Sequence, residues 1–317
     1  MAAAACGGGS AEKYLTNGAT PEQALVAAAS QGDEGAVKEL LSDGVAINAQ
    51  KTDGTTPLMA AAEQGHKGTV NLLMERGADI NAIKPDGWMA VIAAAQSGNV
   101  DVTKALLEKG ANPNSATKEG FTALMAASQR GAEDVVALLL EKGAIVDTKN
   151  RDGWTALMAA IEPGDAEIVR LLLDKGANPN QANIDGWTVL MAASQAGQAD
   201  VVKVLLEKGA KPEQPNKDGW TALMASAEKG DENVVKALLG AGANANTRTK
   251  DGWTALMSAA EKGQQKMAEL LVAGGANTQF KSGENRTALE YAQRGGHQPV
   301  VDVLSKGSAA TATAPRR

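Results

Sequence analysis

The sequence predicts an all-α solenoid of short paired helices separated by protruding turns. Three observations predict it. Glycine recurs at 33-residue steps in three registers, Gly32 to Gly296, Gly44 to Gly275 and Gly54 to Gly252, which together account for 24 of the 35 glycines. Between the registers lie two apolar-periodic segments per period, such as residues 122–130 and 133–143, each long enough for about two or three helical turns. A stretch rich in Asn, Asp, Gly and Pro follows them, as at residues 177–188. Such a period is the signature of a repeat architecture, in which each unit buries its apolar face on its neighbours.

The first helix of a unit opens at threonine, at Thr56, Thr122, Thr155, Thr188, Thr221, Thr254 and Thr287. A threonine hydroxyl there accepts a bond from an otherwise unpaired amide one turn on. The second helix closes at a Lys-Gly-Ala type of stop, as in Glu108-Lys109-Gly110, where glycine takes the left-handed conformation that ends a helix. Asp-Gly then marks the tip of an extended turn. Helices this short are marginal alone, so they must stack. Leucine at every 33rd position from Leu40 to Leu304, with valine in most units from Val37 to Val301, supplies a continuous apolar spine.

The end units are built as caps. Thr20-Pro21-Glu22-Gln23 combines a threonine cap, proline at the first helical position and glutamine in capping-box register. At the other end Glu290, Tyr291, Gln293 and Arg294 stand where other units are apolar or small, so both ends are expected to be wettable.

Composition narrows the function classes. Aromatics make up 3% of residues against 44% hydrophobic overall, which favours thin layers of small and aliphatic side chains over one thick core. A net charge of −6, a pI near 5.2 and no domain-sized basic patch argue against nucleic acid as partner. The single cysteine, Cys6, leaves no intrachain disulfide or cysteine-based zinc site and suits a reducing compartment. The cytoplasm is the expected location, with the nucleus and organelle interiors left open. No apolar run approaches the ~18 residues of a membrane span, so no direct membrane insertion is expected. The opening MAAAACGGGS lacks the basic region of a secretory signal.

A 33-residue unit of turn, helix and helix resembles the ankyrin repeat, whose signature contains T-P-L-H-x-A-A and a later G-A-D-x-N. Thr56-Pro57-Leu58-Met59 and Gly77-Ala78-Asp79-Ile80-Asn81 come nearest to it. The resemblance covers residues 21–306 as nine units beginning at 21, 54, 87, 120, 153, 186, 219, 252 and 285. It implies an ankyrin-repeat solenoid of paired antiparallel helices with protruding β-turn or hairpin loops. Residues 1–19 and 307–317 are read as flexible tails flanking a repeat domain over 20–306. The family's proline is mostly alanine here, and its histidine is methionine at Met59, Met125, Met158, Met191, Met224 and Met257. Apolar packing is expected to replace the bridge that this histidine makes in the family.

Residues for catalysis are not assembled by this pattern. His66 and His297 fall right after the helix-joining glycine, seven units apart, and read as structural. No activated nucleophile and no phosphate-binding glycine loop is apparent. No cofactor, metal or small-molecule substrate is expected. The acidic residues before the tip glycine, Asp53 to Asp251, read as turn formers, and the buried methionines as adaptable filler.

What remains is a face. One column between the tip glycine and the capping position holds Trp88, Phe121, Trp154, Trp187, Trp220 and Trp253, including all five tryptophans. A second carries Glu63, Gln96, Gln129, Glu162, Gln195, Glu228 and Glu261. The resemblance implies that both line the concave, ligand-facing side. Flat aromatic anchors beside hydrogen-bonding neighbours suit a protein interface. The expected function is a non-enzymatic protein-interaction module, whether adaptor, scaffold or regulatory subunit. The alternative is a rigid spacer bracing a multiprotein assembly. A competing role for the tryptophans is to pack over the next unit's turn.

Overall fold

The computed structural model describes residues 9–312, with the side chains of Asn17 and of residues 307–312 left out. The tails expected over residues 1–8 and 313–317, and Cys6 with them, lie outside the described residues. The chain divides into two compact units, Met1–Arg151 and Asp152–Arg317.

The first unit contains α1 (Pro21–Ser30), α2 (Glu34–Ser42), α3 (Pro57–Glu63), α4 (Lys67–Glu75), α5 (Ala90–Ser97), α6 (Val100–Glu108), α7 (Ala123–Arg130) and α8 (Glu133–Glu141). Here α1, α3, α5 and α7 pack in series, and so do α2, α4, α6 and α8. The second unit contains α9 (Ala156–Ala159), α10 (Ala166–Asp174), α11 (Val189–Ala196), α12 (Ala199–Glu207), α13 (Ala222–Lys229), α14 (Glu232–Gly240), α15 (Ala255–Glu261), α16 (Gln265–Ala273), α17 (Ala288–Arg294) and α18 (Gln298–Ala312). Its odd-numbered and even-numbered helices form the same two rows. No strand forms among the described residues; two isolated antiparallel bridges, Ala116 with Thr122 and Ala182 with Thr188, close individual loops. This is the all-α solenoid of paired helices that the period predicts.

The first-row helices are nearly all alanine, leucine and methionine inside. Met125, Met158, Met191, Met224 and Met257 are at most 2% exposed, so methionine fills the layer between neighbouring units. Threonine hydroxyls accept the capping amide at Thr56, Thr122, Thr155, Thr188, Thr254 and Thr287, but Thr221 makes no such bond. The Thr20–Gln23 capping box forms in full.

The three glycine registers share a positive φ but meet different surroundings. At the second-helix stop, as at Gly209 with φ +90°, a Cβ would meet open space; only the left-handed backbone selects glycine there. At the tips, a Cβ on Gly219 would lie 2.9 Å from Thr249 Cα, and one on Gly87 would lie 2.5 Å from the Lys118 backbone nitrogen. Consecutive tips therefore touch backbone to backbone.

That approach makes hydrogen bonds. In the first unit the amides of Lys118 and Arg151 donate to the carbonyls of Asp86 and Glu119 at 2.8 and 2.9 Å. In the second, Ile184, Lys217, Lys250 and Gly283 donate to Asp152, Asp185, Asp218 and Asp251 at 2.6–3.0 Å. The equivalent donor in the first unit is Pro85, which has no N–H. There Lys84 reaches Asp53 instead, Nζ to Oδ2 at 3.3 Å.

A second inter-repeat brace lies at the start of the even-numbered helices. His66 Nε2 donates to the Ser30 carbonyl and His297 Nε2 to that of Glu261, both at 3.0 Å. Asn99, Gln198 and Gln264 do the same to Gly65, Ile161 and Glu228. The histidines are thus two of several interchangeable donors that satisfy carbonyls at the ends of first-row helices.

Three features differ from the sequence reading. Residues 9–19, read as part of a flexible tail, form two 3₁₀ turns, Glu12–Tyr14 and Thr16–Gly18. They are tied down because Ala11 is buried, its amide donates to Glu39, and Lys13 and Tyr14 both reach Asp33. The Asp33 carboxyl sits below its ordinary range because it caps α2 at the Ala36 amide and then pairs with Lys13. At the other end, α18 continues as helix to Ala312, into the segment expected as tail. Finally, α9 has four residues where its counterparts have seven to ten. Pro163 takes the place that Arg130, Ala196 and Lys229 hold in their helices; lacking an N–H, it cannot continue the turn.

Candidate functional site

The aromatic column sits at the root of each tip loop, and the loop holds it from both sides. Trp220 illustrates this: its carbonyl accepts the Asn216 amide and its own amide donates to Asn216 Oδ1, both at 2.9 Å. Trp187 is pinned the same way by Asn183, while Phe121 and Trp253 use the hydroxyls of Thr117 and Thr249. At Trp88 the acceptor for the amide is Asp86, two residues before it. A residue bonded at both backbone groups presents its ring in a fixed direction.

The rings are half-buried. Trp154 is the most open at 36%, and the others are intermediate. In the first unit Trp88 and Phe121 stack, with centroids 6.3 Å apart and planes 11° from parallel. In the second, Trp253 meets Tyr291 edge-on at 4.8 Å, and its indole N–H donates to Ser258 Oγ at 2.7 Å. Packing between neighbouring repeats and an outward ring face therefore coexist. The polar column, Gln96, Gln129, Glu162, Gln195, Glu228 and Glu261, is exposed throughout.

The two columns meet in the second unit. A depression of about 160 Å³ is lined by Trp220 and Trp253 from one, Glu228 and Glu261 from the other, and Ser258 and Lys262. Beside it a larger cleft of about 540 Å³ is bounded by Trp220, Trp253 and Tyr291 and rimmed by Asp218, Asp251 and Glu284.

Two of these participants differ from the sequence reading. Tyr291, expected to help wet the last unit, is 6% exposed, and its hydroxyl bonds Ser282 at 2.8 Å. The tip carboxylates, read simply as turn formers, have unequal fates. Asp53 accepts both the amide and the hydroxyl of Thr55, then Lys84, and these hold its carboxyl at about 2, below its ordinary 3.8. Asp86 caps the Trp88 amide and Glu119 pairs with Arg151. The carboxylates of Asp218 and Asp251 accept no hydrogen bond among the described residues: Asn216 and Thr249 cap the indole-bearing amides, and neither Lys250 nor Gly283 of the next tip engages them as Arg151 engages Glu119. The cue in the sequence is the residue four positions before the tryptophan.

Among the described residues no three His, Cys, Asp or Glu side chains converge as metal ligands would, and no helix is long and apolar enough to cross a membrane.

A family model described as ankyrin repeats in three copies matches residues 1–84, 82–150, 146–216, 180–249 and 223–314. No curated protein matches the chain. The crystal structure of the human ASB11 ankyrin repeat domain is similar to it, with a TM-score of 0.64 and 30% sequence identity over 69% of this chain and 98% of that one. Ankyrin repeats are generally protein–protein interaction modules and typically have no enzymatic activity of their own. The chain belongs to the ankyrin-repeat family.

Proposed function

We propose that this protein is an adaptor, scaffold or regulatory subunit that binds a partner protein through the face carrying the aromatic and Gln/Glu columns. The observation that carries the reading is the joining of the columns at Trp220, Trp253, Glu228 and Glu261. Half-buried rings held by their own loops lose little freedom on binding, and exposed amides and carboxylates beside them can pair with a partner's polar groups. A further support is the scarcity of aromatics elsewhere: six of nine stand in this one column.

The test replaces Trp154, Trp187 and Trp220 together by alanine and compares affinity capture from cell extract with the parent, while circular dichroism follows helix content. Loss of the captured partners from a folded variant is expected. Unchanged capture would remove the aromatic face and leave the spacer reading. That reading has its own test, since excision of two internal repeats would then impair assembly by shortening the span.

A further inference from the structure

The 540 Å³ cleft of the second unit is bounded by Trp220, Trp253 and Tyr291 and rimmed by Asp218, Asp251 and Glu284. Its walls are three aromatic rings. Trp253 is fixed by its bond to Ser258 and by the edge of Tyr291, which is fixed in turn by Ser282. Ser258 stands where the corresponding residues, Ala126, Ala159, Ala192 and Ala225, have no acceptor, and Tyr291 follows one repeat later in the same register. These two changes build a wall that no other repeat has.

Its rim is acidic and underpaired. Asp218 and Asp251 are exposed, with carboxylates that accept no hydrogen bond among the described residues. Glu284 is paired with Arg286. Neither Lys217 nor Lys250, beside the two aspartates in sequence, forms an ion pair among the described residues. The last tip carries Gly283 where others carry Lys118, Arg151, Lys217 or Lys250, and the cations nearest to it are already engaged, Arg286 with Glu284 and over the Tyr291 ring at 5.9 Å, and Arg248 with the Lys281 carbonyl. The result is a pocket of π-faces with two available negative charges, in a chain of net charge −6.

We propose that this cleft binds an arginine side chain from a basic segment of the partner protein, which gives a chemical identity to the partner in the function proposed above and rests on that reading. A guanidinium is planar, so it lies against the indole faces of Trp220 and Trp253 while its N–H groups, directed in its own plane, reach carboxylates at the rim. Lysine offers a compact, more strongly hydrated charge that stacks poorly. A divalent metal does not fit, since no three acidic or imidazole groups converge there among the described residues.

Tip-to-tip backbone bonding sets the register of a bound chain. Repeats rise by about 10 Å and an extended peptide by about 3.3 Å per residue, so every third residue meets a successive tip. The probe is a fluorescent nine-residue glycine peptide with arginine at every third position, titrated by anisotropy into the full chain. Binding is expected, with at least a tenfold loss in the Asp218→Asn, Asp251→Asn double variant and a comparable loss in Trp220→Ala. Lys217→Gln with Lys250→Gln should tighten binding by removing competing cations. The asparagines are isosteric and exposed, so loss of fold does not intervene. Absence of binding by the parent, or equal binding by parent and double variant, overturns the inference. Equal binding by a lysine peptide overturns the arginine assignment. If the triple tryptophan variant loses its captured partners while the arginine peptide binds nothing, the face stands and the cation site falls. If the peptide binds with the stated dependence while capture by the triple tryptophan variant is unchanged, the cleft takes arginine but the captured partners do not use it, and the assignment of a partner to this cleft is overturned.

Discussion

The two units share one backbone plan, yet the acidic residue at the tip is used differently from tip to tip. In the first, Asp53, Asp86 and Glu119 are taken up by Thr55, the Trp88 amide and Arg151. In the second, Asn216 and Thr249 cap the amides of Trp220 and Trp253 as Thr117 caps that of Phe121, but Lys250 and Gly283 of the next tips do not engage Asp218 and Asp251 as Arg151 engages Glu119. Near-identical repeats thus acquire local chemistry from a few positions around a shared turn. A residue four positions before the aromatic caps its amide and leaves the carboxylate to what the next tip offers, Arg151 for Glu119 and no such donor for Asp218 or Asp251 among the described residues.

If the scaffold is common to both units, damage to it should be alike in each. Gly87→Ala and Gly219→Ala should each cost on the order of 3 kcal/mol, since backbone strain is joined by collision with the next tip. Gly209→Ala, facing open space, should cost about 1 kcal/mol. Urea denaturation midpoints check this; equal losses at Gly209 and Gly219 would dissolve the distinction between the registers. A smaller contrast separates the caps. Thr122→Ala in the first unit should lose about 1 kcal/mol, whereas Thr221→Ala, whose hydroxyl makes no capping bond, should lose clearly less in the same assay.

Acid should distinguish the tips. The Asp53 carboxyl is depressed to about 2 from 3.8, so its contribution is full above the ordinary value and fades as pH falls through the folded one. Asp53→Asn should abolish that part of the stability change between about pH 4 and pH 2, and at neutral pH cost under about 1 kcal/mol because the pair is exposed. Asp218→Asn, which removes a carboxylate that accepts no hydrogen bond among the described residues, should leave neutral-pH stability unchanged. Thermal denaturation at stepped pH reads both. The least effect belongs to Ser128→Ala and Ser194→Ala, one in each unit. Each removes a buried hydroxyl without a partner, and melting should be unchanged or slightly raised, within about 1 kcal/mol.

Much of the architecture is legible because repetition displays each physical requirement many times. The stops at Gly44 to Gly275, the threonine caps and the apolar spine are visible in any unit. What escapes is specific to one place. The 3₁₀ turns before α1 depend on Glu39 and Asp33 accepting donors from residues that carry no periodic signal. The shortening of α9 rests on Pro163 alone, which the periodic reading of Glu162 passes over. Tyr291 looks polar in sequence, yet the ring edge of Trp253 and the hydroxyl of Ser282 make burial favourable. The tip carboxylates escape because several acceptors compete for one amide, and only geometry decides among them.

The relay of amide to carbonyl along the tips carries a consequence for how such a chain can be edited. Within the second unit each internal tip gives one bond to the preceding tip and receives one from the following, so a 33-residue block can be duplicated or excised with the same donor still opposite the same acceptor. The block containing Pro85 is not exchangeable in this sense: placed elsewhere, it would carry its missing donor with it and need a counterpart of the Lys84–Asp53 pair. Length is therefore freely adjustable in one half of the protein and tied to a particular neighbour near the start of the other.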